Sequence, residues 1–441
     1  MPNTNIPKAA PIVVSLGMAI ASIGGFPTAA QQLPRVEGPV VLHAAIADQW
    51  GGHTFNYVVA GQDALFWTAT AHRPDKQKPP KALIGQHPKD TRKSSGSVKT
   101  LMFEDPSVIG INQPQMIRSP DGILHVFIGV THSTANPKYN VGRLHYFRSD
   151  KPEDVNSLID RSSLMPKEPF DSFHLRMNVG ISQDGRKMVL VILAISEERR
   201  VRFNTPVMFL GHRDGLDYVF KNPIAYAEPM GFFYPQVAAT PEGIVLVGQL
   251  SRHPEPSITR LVHVDWNGKS IHAEDLPRGA TTKGEYLSYD LRPFIPNDWS
   301  RLMIYCDDHG EQRHDFWQYE TATKKLRLLR SVPCDASASA PGRWVPLTND
   351  RGVFINNPSS SQLRLWQGEL TGQGPVNSSL LPQTHPIDRG FQANAYLFSP
   401  NPLQGSILVP GETIVATDAY NPNRSNVTSG PCSFLMWKLV W

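Results

Sequence analysis

Three cysteines, Cys306, Cys334 and Cys432, are all that the 441 residues contain. They are too few for a disulfide scaffold, and an odd number allows at most one internal bridge and leaves one thiol over. Neither sign of charge dominates: 43 Lys and Arg stand against 39 Asp and Glu, a formal net charge of +4. So balanced a chain announces no nucleic-acid partner. Beyond residue 30 no stretch reaches the ~18 apolar residues of a membrane span. The motifs GxSxG, the Walker loop, HExxH and CxxC are all missing. Their absence leaves no support for the chemistries those motifs carry. Helical periodicity is sparse too, with only Pro152–Ile159 reading as a helical turn.

What the chain does have is apolar bulk and turns. Hydrophobic residues make up 40% and aromatics 9%, enough for a large core. Proline is abundant at 39 of 441 residues, nearly twice the usual ~5%. High proline without long Ala, Leu, Glu and Lys stretches predicts short strands and many turns. The N-terminus reads as an export signal. Lys8 precedes the apolar Pro11–Phe26, and Pro27-Thr28-Ala29-Ala30-Gln31 offers small residues for cleavage after Ala30. Residues 1–30 are thus expected to be a signal peptide, residues 31–441 one domain, and the protein secreted or periplasmic. Sequons at Asn377, Asn423 and Asn426 matter only in a eukaryotic secretory pathway.

A pattern repeats along the chain: a polar or aromatic cluster, a turn with Pro, Asp or Gly, then an apolar β-rich run. It begins at Gly52 (GHTFNYVVAGQDALFWTATA), Asn112 (NQPQMIRSPDGILHVFIGV), Leu175 (LRMNVGISQDGRKMVLVILA) and Phe233 (FYPQVAATPEGIVLVGQL). It returns at Leu287, and more weakly at Gly342 and Phe391. Each unit is long enough for about four strands, the size of a propeller blade. The expectation is an all-β, seven-bladed β-propeller. Val40–Ala45 could pair near the terminal run Phe434–Trp441 and close the ring.

The innermost strand of a blade lines the channel, and its start shares a face with the loop between the second and third strands. Inner-strand starts then supply His53, Asn112, Gln113, Arg176, Asn178, Tyr234, Gln236 and Tyr289. The loops supply His72, His132, Arg252, His253, Asp307, Asp308, His309 and His314. His132, in the loop Gly129–Asn140, is read as an exposed imidazole suited to acid–base work. Arg176 and Tyr234 stand nine residues before the turn glycines Gly185 and Gly243. An arginine can neutralise a carboxylate, and a tyrosine beside a cation can exchange a proton. Cys306-Asp307-Asp308-His309 with His314-Asp315 matches no strong zinc pattern and reads as a hairpin loop, so no metal ligand is assigned. His72–Lys99 carries eight basic residues against two acidic ones and reads as an insertion in the first blade. Ser119-Pro120-Asp121-Gly122 and Ser182-Gln183-Asp184-Gly185 resemble the start of sialidase boxes but lack their tryptophan.

Asn112–Asp150 resembles the second blade of secreted propellers with bacterial-neuraminidase repeats, among them ulvan lyases and rhamnose–glucuronate lyases. Some relatives of these were described as α-L-rhamnosidases. The matching residues are Ile123-Leu124-His125-Val126, His132 and Tyr146-Phe147-Arg148-Ser149. Asn112-Gln113 stands where that family has a catalytic His-Asn pair, so the histidine is absent. Arg176 replaces the tyrosine of the next blade, and Tyr234-Pro235-Gln236 offers a Tyr-Pro-Gln one blade later. The resemblance implies a polysaccharide lyase acting on a rhamnose- and uronate-containing glycan, with an α-L-rhamnosidase and a non-catalytic glycan-binding propeller as alternatives. Expected catalytic residues are His132, Tyr234, His53 and Arg176. Expected substrate-binding residues are Asn112, Gln113, Asn178, Gln236, Arg252, His253 and Tyr289. The expected partner is an anionic polysaccharide or oligosaccharide, the expected state a monomer, and calcium in the channel the one ion to consider.

Overall fold

The computed structural model describes residues 33–46, 58–73, 75, 77–93, 96–112, 114–133, 141–166, 170–171, 177–195, 204–221, 223–225, 231–252, 255–276, 289–308, 313–333, 344–348, 351–356, 362–371, 377–381, 392–393, 397–420 and 432–441. Among these, the only helical pieces are three single 3₁₀ turns, at Val155–Ser157, Ser162–Leu164 and Pro402–Gln404. Every other regular element is a strand, and the strands fall into seven antiparallel sheets. Six sheets follow one another along the chain, and the first strand of each packs on the first strand of the next. The result is a β-propeller.

The seventh sheet joins the chain ends. Its order is Gln392–Ala393, Glu412–Tyr420, Cys432–Val440 and then the N-terminal Arg35–Ile46. Val41 pairs with Leu435 and His43 with Phe434, so the expected closure is present.

Burial explains the sequence pattern. The second strand of sheet two, Leu124–His132, is buried along its length except at His132. Val126, Ile128 and Val130 pack with Val59, Phe66 and Ile84 of sheet one. On its other face Phe127 meets the ring of Phe220 in sheet three, 5.6 Å away and edge-on. A strand covered on both faces must be apolar throughout, which is why these runs stood out. The outer strand Ser97–Met102 has only one face covered and alternates.

The two Ser-x-Asp-Gly turns are structural. Ser119 Oγ donates to Asp121 at 2.5 Å, and Ser182 Oγ to Asp184 at 2.6 Å. Gly122 and Gly185 hold φ of 86° and 69°, a region that disfavours a side chain. Asp121 also accepts from Arg213 of the next sheet, tying sheets two and three.

Two expectations are corrected. His72–Lys99 is no insertion: Lys81–Pro88 and Ser97–Met102 are the third and fourth strands of sheet one. Its consecutive Ala82, Leu83 and Ile84 are all buried in the core. In the last repeat, Ser406–Val409 is not a strand, and the second strand is Glu412–Tyr420.

The residues between these strands do something else. Segment 397–406 is buried apart from a partly covered Gly405, and it packs among the inner strands of four sheets. Asn401 Nδ2 donates to Leu291 O at 2.8 Å, and Gln404 Nε2 to Val179 O at 3.3 Å. Arg292 Nη2 donates to Ser399 Oγ at 2.6 Å, and Ile407 N–H to Ala60 O at 2.8 Å. This plug packs against the inner strands towards the end where they finish, meeting Ala60 and Arg118, the last residues of two of them. A Cβ at Gly405 would lie well inside contact distance of Arg118 O, and its φ is 77°. Gly405→Ala is expected to lose about 2–5 kcal/mol, from left-handed strain of ~1–2 and overpacking of ~1–3. Urea unfolding checks this; an unchanged midpoint would mean that the plug shifts freely.

Candidate functional site

At the end away from the plug, inner strands start and second strands stop. Ladder register puts the candidate residues there. Asn178 is the second residue of Met177–Ile181, Tyr289 the first of Tyr289–Ile295 and Arg252 the last of Gly243–Arg252. Tyr234 and Gln236 lie in Gly231–Thr240, where a register shift falls between Phe233 and Gln236. Pro235 lacks the N–H that a regular ladder needs there. For Tyr234, Arg252 and Tyr289 only the strand position is described. His53, Gln113, Arg176 and His253 lie outside the described residues.

Two predicted residues meet directly. Asn178 Nδ2 donates to Gln236 Oε1 at 3.4 Å across neighbouring inner strands, both side chains being buried. Gln115 takes the same place in sheet two, four residues before the turn Ser119, as Asn178 does before Ser182 and Gln236 before Thr240. It too is buried. Three consecutive inner strands thus carry an amide at one level, where an apolar residue would fill a core. Gln115 was missed, although the shared offset from the turn was legible.

Asn112 does not start its strand. The inner strand is in two pieces, Val108–Ile111 and Gln115–Arg118. Pro114 causes the break by lacking a donor, and its carbonyl accepts from Thr68 Oγ1 at 2.6 Å. Asn112 Nδ2 donates to Thr131 Oγ1 at 3.3 Å.

His132 also differs from expectation. It ends a strand instead of standing in an exposed loop, and its side chain is only 14% exposed. Ladder pairing with Val108 forces it down onto the sheet. Nδ1 lies 2.8 Å from Ser107 Oγ and 3.7 Å from Asp105 Oδ2. Nε2 is shielded and has no hydrogen-bond partner. Burial, helped by Arg143 and opposed by Asp105, holds the imidazole below its ordinary pKa. Successive strand residues face opposite ways, so His132 and the Thr131 that binds Asn112 are on opposite faces. Asn112 is thereby separated from His132. Ser107 and Asp105 went unrecognised because they precede the inner strand and meet His132 only through the ladder.

The loop candidates near Cys306 serve the sheet. His314 Nδ1 lies 3.0 Å from Tyr305 Oη, and Asp315 accepts from Ser331 Oγ at 2.5 Å. Among the described residues no group of three or more His, Cys, Asp and Glu could hold a metal ion. No helix among them is long and apolar enough to cross a membrane. A cavity of about 620 Å³ lies at the plugged end, lined by Ile407, Val409, Pro410, Arg351 and Trp441, away from His132.

No family model and no curated protein matches the chain. Solved structures do. The polysaccharide lyase Uly1 aligns over 93% of this chain and 99% of its own, with a TM-score of 0.51 and 9% identity. Puromycin hydrolase aligns over 86% of this chain and 53% of its own, at 0.49 and 14%. The GH93 α-L-arabinofuranosidase of Fusarium graminearum, solved with arabinobiose, aligns over 78% and 97%, at 0.46 and 10%. At such identities the likeness to Uly1 bears on the fold alone.

Proposed function

We propose that this propeller is a carbohydrate-active enzyme, a lyase that cleaves a uronate-containing glycan by β-elimination. The observation that carries the reading is His132 at the end away from the plug, with Nδ1 held by Ser107 and Nε2 without a partner. A buried nitrogen left unpaired costs free energy, which a hydrogen bond from substrate to Nε2 would recover. The blade-two resemblance supports a glycan substrate.

In the reaction a base takes the C5 proton of the uronate. The electron pair forms the C4=C5 double bond and the C4–O bond breaks. An acid returns a proton to the leaving oxygen. His132 Nε2 is the base in this reading. Tyr234, by its strand position, is the acid candidate, and Arg176 is the candidate partner of the uronate carboxylate. Asn178 and Gln236 supply amides below the rim, and His53 stays a reserve acid or base. Arg252, His253, Tyr289, Asn112 and Gln113 are candidate sugar contacts. The apolar Pro11–Phe26 supports export to where such polymers occur.

The purified protein is incubated with ulvan and with rhamnose–glucuronate glycans while ultraviolet absorbance of an unsaturated uronate is followed. Rising absorbance is expected. Free rhamnose without absorbance would replace the lyase by an α-L-rhamnosidase. Binding without either product would leave a glycan-binding propeller.

A further inference from the structure

We infer that Ser107 and Asp105 are positioning residues that fix His132 as the Nδ1–H tautomer, leaving the Nε2 lone pair as the proton acceptor. The inference rests on the reading of His132 as a base and adds the groups that prepare it.

The argument starts from hydroxyl bookkeeping. Ser107 has one proton and two lone pairs. Its backbone N–H donates to Asp105 Oδ1 at 2.9 Å, folding the two residues into a tight turn. That backbone bond and a side-chain bond from Ser107 hold the Asp105 carboxyl below its usual range, so it is ionised at neutral pH. An ionised carboxylate only accepts. With Asp105 Oδ2 3.7 Å from Nδ1, the ionised carboxylate favours a proton on that nitrogen, and the Ser107 oxygen at 2.8 Å is placed to accept it. His132 must then carry its proton on Nδ1.

Geometry excludes a nucleophilic Ser-His-Asp triad. That arrangement needs serine and aspartate on opposite ring nitrogens. Here both lie on the Nδ1 side, Asp105 at 3.7 Å and Ser107 at 2.8 Å. The pair thus orients the ring and leaves Nε2 as the working atom. Ser133, next to His132, fastens the turn from the other side: its N–H donates to Ser107 O at 2.8 Å and its Oγ to the same oxygen at 3.2 Å. Charged and titratable groups acting on His132 are Asp105, Arg143 and His145. Asp105 favours the imidazolium, and the other two oppose it.

Nitrogen-15 NMR of histidine-labelled full-length protein above the His132 pKa reads the tautomer without any turnover. His132, assigned by its loss in His132→Gln, is expected as Nδ1–H. In Ser107→Ala it shifts toward the mixed or Nε2–H form, and Ser107→Thr restores it. On a turned-over glycan, Ser107→Ala lowers kcat/KM roughly 3- to 10-fold, the share of one hydrogen bond. That loss falls on kcat more than on KM. An Nε2–H tautomer in the parent protein, or the same Nδ1–H signal in Ser107→Ala, overturns the inference. Because NMR is independent of substrate, a failed lyase assay would sink the function while the tautomer result still stands or falls alone.

Discussion

Replacing His132 with alanine is expected to lower kcat/KM on a cleaved uronate glycan by ~10²–10⁴-fold, the usual contribution of a positioned base. The protein should stay folded. The imidazole shares one hydrogen bond, with Ser107 Oγ, and the variant loses about 0.5–1.5 kcal/mol with it. Activity in the parent should rise with pH as His132 loses its proton. Burial lowers that pKa, so the rise centres below 6.5. Full turnover by His132→Ala, with an unchanged unfolding midpoint, would move the base elsewhere on the rim.

Acid should unfold this protein through two core histidines. His125 is wholly buried between sheets two and three. Tyr146 Oη lies 2.8 Å from its Nδ1, and Ser119 Oγ lies 3.3 Å from its Nε2. Ser119 spends its own proton on Asp121, so Nε2 donates and Nδ1 accepts. A second proton has nowhere to go. Burial lowers His125 to about 3, and His263, buried beside Tyr319 Oη at 2.8 Å, to about 4. Unfolded histidine titrates near 6.5. The unfolded chain therefore takes up protons first, and stability is whole above about pH 6.5 and falls as pH drops toward 4. Each histidine contributes a slope of up to ~1.4 kcal/mol per pH unit in that window. The sum over two units is several kcal/mol, comparable to a total stability of ~5–15. Urea unfolding at pH 7, 6, 5 and 4.5 measures the slope. His125→Gln should remove about one proton from it, and an unchanged slope would assign the acid sensitivity to other groups.

The seven repeats were legible because inner and second strands are covered on both sides and write their burial as apolar runs. Gly243–Arg252, with eight consecutive buried residues from Gly243 to Leu250, is the plainest case. The plug was not legible. Phe398, Leu403 and Pro402 are as apolar as a strand, but they fill the channel, and no periodicity separates the two uses. The amide level could be read from a fixed offset before each turn. The Ser107–His132 bond could not, since it spans 25 residues and depends on how the broken inner strand pairs. For the same reason His132 looked like a loop residue: the sequence pattern of Gly129–Asn140 marks a turn and not where the ladder stops.

Pairing of Arg35–Ile46 with Cys432–Val440 sets an order of assembly. Arg35–Ile46 is the outermost strand of the last sheet, so it has no partner until Cys432–Val440 has been made. During that wait the strand presents an open edge, with Val41 more than half exposed even in the finished fold. A closure between such distant segments is slow, because chain entropy is lost before contacts compensate. Partly made chains should therefore be captured by chaperones at this strand, and deleting Cys432–Val440 should release Arg35–Ile46 as well.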